Sequence, residues 1–401
     1  MRRLHGVQPS RSALARELME RFASRTGLSG GPQRRYLWTD AFAVCNFLAL
    51  ARATGDARWA DLARRLVHDV HHVLGRHRRD DARKGWISGL AEEEGERRPT
   101  AGGLRIGKRL PERAADEPVD ERLEWDRDGQ YLHYLTKWMH ALDQMARATG
   151  DDAYARQAHE LARRAHDAFA WQPRGGARPR LYWKCSIDLT RPLVASMGQH
   201  DALDGFVTCL QLDAGAAGAA ADLGDVARDY ARMLPGATLA TADPLGIGGV
   251  LCDAWRVRQL VRAGALADPG NLVELLLASA ATGLDVYAGR RDLDEPAGQR
   301  LAFRELGLAI GLDAAARLAS DAAAGSGALA PWLDRLATFA PLRERIEDFW
   351  SDPGNRTNET WREHEDIDDV MLATALLPDG FLDLAAPLGA GRVTRRAGVV
   401  P

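Results

Sequence analysis

The sequence predicts an all-α protein built as a single (α/α)6 toroid, a six-hairpin barrel. Three observations carry that prediction. Apolar residues recur every three or four positions in nearly every long segment, while strand-like alternation is scarce. Segments that are apolar around most of their circumference alternate with amphipathic ones, as expected when an inner ring of helices is enclosed by an outer ring. Finally, Ala51–Asp56 and Ala146–Asp151 share the spelling Ala-Arg-Ala-Thr-Gly-Asp. Its glycine closes one helix and its aspartate caps the next, so each copy encodes a tight αα-hairpin.

Twelve helices follow from these periods. Helix 10–27 opens the chain. Helix 37–54, rich in Trp, Phe and Cys, reads as inner, and 57–75, which mixes Ala and Leu with Arg, His and Asp, as outer. The same contrast separates 129–148 from 152–170, with 199–213 after them. Segments 222–234, 269–283 and 329–349 read as outer, and 246–263, 300–318 and 366–377 as inner. Pairing each outer helix with the inner helix that follows gives six hairpins. The barrel is then one domain over residues 1–380, with 381–401 a tail strapped along its outside. A solenoid of TPR-like repeats shares the hairpin spelling, but its period of about 34 residues is absent.

One long insertion interrupts the pattern. Residues 76–124 are rich in Gly, Arg and Glu and are expected to form a lid, since loops of this length in compact domains are commonly functional. The run Gly102-Gly103-Leu104-Arg105-Ile106-Gly107 is not read as a phosphate loop, because no strand precedes it.

Composition narrows the function. With 401 residues, 46% hydrophobic and 27% charged, the chain falls in the globular range. A formal net charge of −3 argues against a broad nucleic-acid surface. No run of 18 apolar residues occurs and the first residues lack the apolar core of a signal peptide, so no membrane contact and a cytoplasmic location are expected. Cys45, Cys185, Cys209 and Cys252 are too dispersed for zinc or a disulfide framework and read as buried hydrophobes. His68, His71 and His72 fall on an outer helix and read as an exposed polar face. No metal and no cofactor are expected, and activity should survive chelators.

The chemistry is expected where chain segments enter the inner helices. Tyr36-Leu37-Trp38-Thr39-Asp40 precedes the first, and Glu124-Trp125-Asp126-Arg127-Asp128-Gly129-Gln130-Tyr131 the second. Trp183-Lys184 through Arg191, then His200-Asp201, approach the third. His364-Glu365 and Asp366–Asp369 open the last. Acids at helix N-termini complement the dipole and cap free N–H groups. Caps alone do not explain Trp38, Trp125 and Trp183 beside three of these groups. Indole faces can stack on sugar rings while carboxylates bond hydroxyls, a combination suited to a carbohydrate cleft.

Asp40, Asp126 and Asp128 are the candidate catalytic acids, because glycoside hydrolysis needs one protonated and one ionised carboxyl group. Candidate substrate contacts are Trp38, Trp125, Tyr131, Trp183, Lys184, Arg191, His200, Asp201, His364 and Glu365. Lys184, one of four lysines against 49 arginines, is read as a contact for a carboxylate-bearing substrate.

The stretch Tyr36-Leu37-Trp38-Thr39-Asp40-Ala41-Phe42, running through Phe47-Leu48-Ala49-Leu50 to Thr54-Gly55-Asp56, resembles the W-x-D-x-x-F helix and TGD hairpin of six-hairpin glycosidases. Within them it is most similar to unsaturated rhamnogalacturonyl and glucuronyl hydrolases. The resemblance covers about 40 residues. It implies an (α/α)6 barrel in which Asp40 matches the aspartate that protonates the substrate's double bond.

The function expected is a carbohydrate-active enzyme, a glycoside hydrolase with Asp/Glu acid–base catalysis on a small-molecule or oligosaccharide substrate. Three alternatives remain: a sugar epimerase or lyase on the same barrel, a non-catalytic binding or scaffold protein, and a terpene-cyclase-like enzyme. The last rests on Asp366-Ile367-Asp368-Asp369, which resembles the acid motif of class II cyclases.

Overall fold

A computed structural model describes residues 10–175, 178–216, 222–266, 272–322 and 327–384. Six helices form a closed ring: α2 (Leu37–Thr54), α6 (Leu132–Thr149), α8 (Asp201–Gly215), α10 (Pro244–Arg262), α12 (Ala302–Ala322) and α16 (Glu365–Leu376). Each packs on the next, and α16 returns to α2. The outer layer is α1 (Arg11–Arg25), α3 (Ala57–Leu74), α7 (Asp152–Phe169), α9 (Gly224–Met233), α11 (Leu272–Arg290) and the pair α13 (Ala330–Ala337) and α14 (Ala340–Ser351). The predicted outer helix 329–349 is thus two helices. The hairpins also run in the opposite phase to the prediction. Each inner helix packs on the outer helix that follows it, and α1 lies against α16, so the two ends of the chain complete the sixth pair.

The repeated hairpin code works as the residues dictate. Gly55 and Gly150 close α2 and α6 in the left-handed conformation, with φ of 71° and 70°. Asp56 and Asp151 accept hydrogen bonds from the N–H groups of Arg58 and Ala153 at the starts of α3 and α7. Helix α11 is long and apolar enough in composition to cross a membrane. Here it buries Leu276, Leu277, Leu284 and Tyr287 as the outer partner of α10.

The C-terminal ends of the inner helices are stoppered. Short helix α17 (Asp379–Leu382) lies across them, stacking Phe381 on Phe42 with ring centroids 4.4 Å apart. The Gln144 amide donates to Gly380 O, and Gln259 Nε2 donates to Leu382 O at 2.8 Å. At Gly380 a Cβ would meet Cys45 O at 2.1 Å, so glycine permits the close approach to α2. Residues 381–384 therefore sit within the barrel end and not along its outside; residues 385–401 of the predicted tail lie outside the described residues.

The insertion is a fastened wall. It carries α4 (Glu92–Arg97) and most of α5 (Glu121–Asp126), and the first strand, β1 (Gln130–Tyr131), follows it. A separate two-stranded ribbon joins β2 (Ala170–Trp171) to β3 (Arg180–Leu181). Strand β1 pairs with β4 (Lys184–Cys185), which pairs with β5 (Pro192–Val194). Strands of two or three residues leave no readable alternation, yet this sheet places Tyr131 beside Lys184 and joins two approach segments. The Gly102–Gly107 loop closes on protein groups: Gln130 Oε1 accepts Leu104 N–H at 2.8 Å and its amide donates to Gly102 O.

Candidate active site

The inner helices all point their N-terminal ends toward the open end of the barrel, opposite α17. Solvent reaches the axis there. His133 and Lys137, one turn apart near the start of α6, keep 31% and 20% side-chain exposure. On α10, a Cβ at Gly249 would meet nothing within 4 Å. On α2, Trp38 and Phe42 pack together with ring centroids 4.4 Å apart, both buried.

Below His133 lies a buried charge network. Asp201 and Asp204 are one turn apart at the start of α8, and Asp253 and Arg256 one turn apart on α10. Asp204 accepts from Thr136 Oγ1 at 2.5 Å and Lys137 Nζ at 2.7 Å. Arg256 bridges Asp253 at 2.8 Å and Asp204 at 3.4 Å, and donates to Gln211 and Thr208. Gln211 continues to Asp143 and His140. Every charged member has a partner of opposite charge or a donor, the condition for keeping ions in an interior.

This environment drives neighbouring carboxyl groups apart. Burial raises Asp201 to about 7, the negative charge of Asp204 adding to it against one hydrogen bond from Gly198 N–H. Burial opposes ionisation of Asp204 too, but Lys137 and Arg256 outweigh it and hold Asp204 down at about 2. Asp253 is raised by burial and by Asp204. The surroundings thus favour the protonated form of Asp201 and the ionised form of Asp204, the division of labour that acid–base hydrolysis requires. His133 Nδ1 lies 3.7 Å from Asp201 Oδ1.

The predicted site residues separate into groups. Asp201 and Trp183 meet at His133, 3.7 Å from its Nδ1 and 6.3 Å between ring centroids, while Trp38 is buried against Phe42. Asp40 does not join them. It stands two residues, or about 200° of helix, from Trp38, on the side of α2 that meets Arg35. Its Oδ2 accepts Tyr36 N–H at 3.0 Å and its Oδ1 lies 3.4 Å from buried Arg35, which in turn donates to Thr26 O. Burial still raises Asp40 to about 6. Its position is that of a cap and a counter-ion. Asp40→Ala should therefore cost about 3 kcal/mol by stranding Arg35, measured by urea unfolding, with turnover per folded molecule changed less than about threefold.

Asp126 and Asp128 are not a pair. Asp126 is exposed at the end of α5, whereas Asp128 is buried against the insertion, held by Arg105 at 2.9 Å, Arg78 at 3.3 Å and the N–H of Gly107. Lys184 is fully buried, and all three of its donors are spent on Glu124 and on the carbonyls of Glu124 and Arg127. It is therefore unavailable to a substrate carboxylate. Tyr131 is buried beneath Trp183.

Arg191 lines a cavity of about 270 Å³ against the insertion and donates to Arg113 O. A concavity of about 600 Å³ lies between α7 and α9. Both are off the axis. His200 immediately precedes α8 and makes no side-chain cap; its ring is bonded to Leu239 O at 2.8 Å. His364 lies over Phe303, and Glu365 pairs with Arg25 at 3.2 Å. Asp366 and Asp369 are also engaged by α1 arginines, at 2.7 Å and 2.8 Å, and Asp368 accepts Phe303 N–H. The cyclase-like acids are thus committed to ring closure. His71, read as exposed, is buried and accepts the Trp138 indole N–H at 3.2 Å, because its side of α3 faces α6.

Asp204, Lys137, Asp253 and Arg256 did not emerge from the sequence reading. They carry a signal nonetheless: each is a charge set within a helix read as inner, where only a paired ion is tolerated.

No family model matches the sequence, and no curated protein matches it. Among solved structures, the GH76 α-mannanase of Bacteroides thetaiotaomicron is similar with a TM-score of 0.54 and 11% identity, over 92% of this chain and 96% of that one. An inactive variant of the GH76 α-1,6-mannanase of Salegentibacter sp. HEL1_6, solved with α-1,6-mannotetrose, gives 0.52 and 12% over 94% and 100%. Cellobiose 2-epimerase from Spirochaeta thermophila gives 0.50 and 12% over 92% and 98%. At these identities the likeness establishes architecture: the chain has the (α/α)6 six-hairpin fold that these mannanases and this epimerase share.

Proposed function

We propose that this protein is a carbohydrate-active enzyme, a glycoside hydrolase working at the N-terminal end of the inner ring. Asp201 is the proton donor, and Asp204 is the ionised partner that stabilises positive charge developing on the sugar. The observation that carries the reading is the Asp201–Asp204 pair, one turn apart, with burial holding one protonated and Lys137 with Arg256 holding the other ionised. Fold alone does not assign a reaction.

A second reading has its own support. His133 is held below its ordinary value by burial and by Lys137, so at neutral pH it is an uncharged imidazole 3.7 Å from Asp201. A neutral base in that place suits proton removal beside a sugar carbonyl, the chemistry of an epimerase.

The test uses α-1,6-linked manno-oligosaccharides and cello-oligosaccharides, chosen from the mannanase and epimerase neighbours. Hydrolysis should release new reducing ends, with activity falling as pH rises through about 7, where Asp201 loses its proton. Conversion to an isomer of unchanged mass would select the epimerase. No turnover and no binding across both series would overturn the carbohydrate reading.

A further inference from the structure

The insertion presents an unusual surface. Trp125, at the end of α5, is 57% exposed, and Leu110, Val119 and Leu123 near it in the chain are also exposed. A tryptophan left in water forfeits the burial of a large apolar surface. Its surroundings show that it is not a loose side chain. Its ring packs edge-on against Trp183 with centroids 4.8 Å apart. Trp183 in turn rests on Tyr131 at 4.7 Å and lies over His133 at 6.3 Å, and His133 is the residue beside Asp201. An unbroken line of rings therefore runs from the outer rim to the proposed proton donor.

The platform beneath Trp125 is fixed from below. Lys108 Nζ donates to Trp125 O, and Lys184 Nζ donates to Glu124 O at 2.6 Å and Arg127 O at 2.9 Å. Two of the four lysines in an arginine-dominated chain are thus spent on the backbone carbonyls of one short helix. A lysine ammonium is a compact donor that can approach several carbonyls at once, where a planar guanidinium would not fit the same way. The result is an exposed indole in a preset orientation, which loses little entropy when a ligand settles on it.

We infer that Trp125 and Trp183 form a distal glycan subsite, so that the substrate is an oligosaccharide spanning from the axis to the insertion and not a disaccharide held at the axis alone. The inference rests on the carbohydrate reading above and extends it to chain length. The apolar face of a sugar ring stacks on Trp125 while its hydroxyls stay in solvent, and the next unit passes over Trp183 toward the axis. Pairing of rings along the line gives affinity for length without selecting a linkage.

The experiment compares Trp125→Ala and Trp125→Phe with the wild type. Its probes are α-1,6-mannobiose and α-1,6-mannotetraose, with cellobiose and cellotetraose as the second series. Binding is read by calorimetry and turnover by kcat/KM. In whichever series is bound, the preference for tetrasaccharide over disaccharide should fall at least tenfold in Trp125→Ala. It should be largely restored in Trp125→Phe, with unchanged melting temperatures because the side chain is exposed. Equal effects on the two lengths, or no effect on either, overturn the distal subsite while leaving the carbohydrate reading standing. Failure of the wild type to bind any of the four sugars overturns both.

Discussion

Replacing Arg256 with methionine should destabilise the protein by about 3–5 kcal/mol, because it leaves two buried carboxyl groups without their shared cation. Arg256 touches Asp204 on α8 and Asp253 on its own helix, and its remaining donors hold Gln211 and Thr208. Its removal therefore strands charge in the middle of the ring and unties α8 from α10. Methionine keeps much of the volume, so a void contributes little.

The pH dependence distinguishes this cause from simple repacking. Asp204 lies well below its ordinary value in the folded protein. A depressed carboxyl contributes stability above its unfolded value, about 3.9, and that stability is lost as pH falls toward the folded value near 2. In Arg256→Met the part of that contribution due to Arg256 is gone at every pH, while Lys137 still holds Asp204 at 2.7 Å. The deficit against wild type should therefore be largest at pH 6–8 and shrink toward pH 3. Urea unfolding at three pH values measures it. A deficit independent of pH would mean that Arg256 acts through packing.

Asparagine at position 201 should reduce turnover by about a hundredfold or more while raising the melting temperature at pH 8. The loss of rate follows from removing a general acid. The gain in stability follows from the opposite sign of linkage. A carboxyl raised from its ordinary range to about 7 costs nothing when protonated, but the folded state loses stability as pH rises from about 3.9 to about 7. Asparagine cannot ionise, so its advantage should appear above pH 4, grow to pH 7 and then level off. Asp204→Asn should also abolish turnover yet lower stability at neutral pH, since it removes the partner of Lys137 and Arg256. Opposite stability signs at two aspartates one turn apart, with activity lost in both, are not expected of a structural salt-bridge cluster.

The feature that evaded the sequence reading was the network itself. Asp204 is 67 residues from Lys137 and 52 from Arg256, and Asp143 is 68 from Gln211. Helical period assigns each residue to a face of its own helix, but these pairings exist only because the ring sets α6, α8 and α10 side by side. Asp201 is legible as an acid at a helix N-terminus, whereas Asp204, Lys137, Asp253 and Arg256 lie deeper in their helices, where position alone marks no site. Trp183 reached the site through a three-stranded sheet whose strands are too short to read in advance.

What the sequence determined by itself is local or periodic. The all-α class follows from helical spacing, the two sharp hairpins from αL glycines and capping aspartates, and the inner or outer character of most helices from how much of their circumference is apolar. Each is settled within one helix or one turn, where backbone conformation and burial depend on neighbours in the chain. Only the tertiary structure decided which helix pairs with which, that α1 completes the sixth hairpin against α16, and that Asp40 pairs with Arg35 while Asp201 lies beside His133. It also decided which of the acids is ionised. A carboxyl's proton affinity is set by desolvation and by charges a few ångströms away, and here those charges come from helices far apart in the chain.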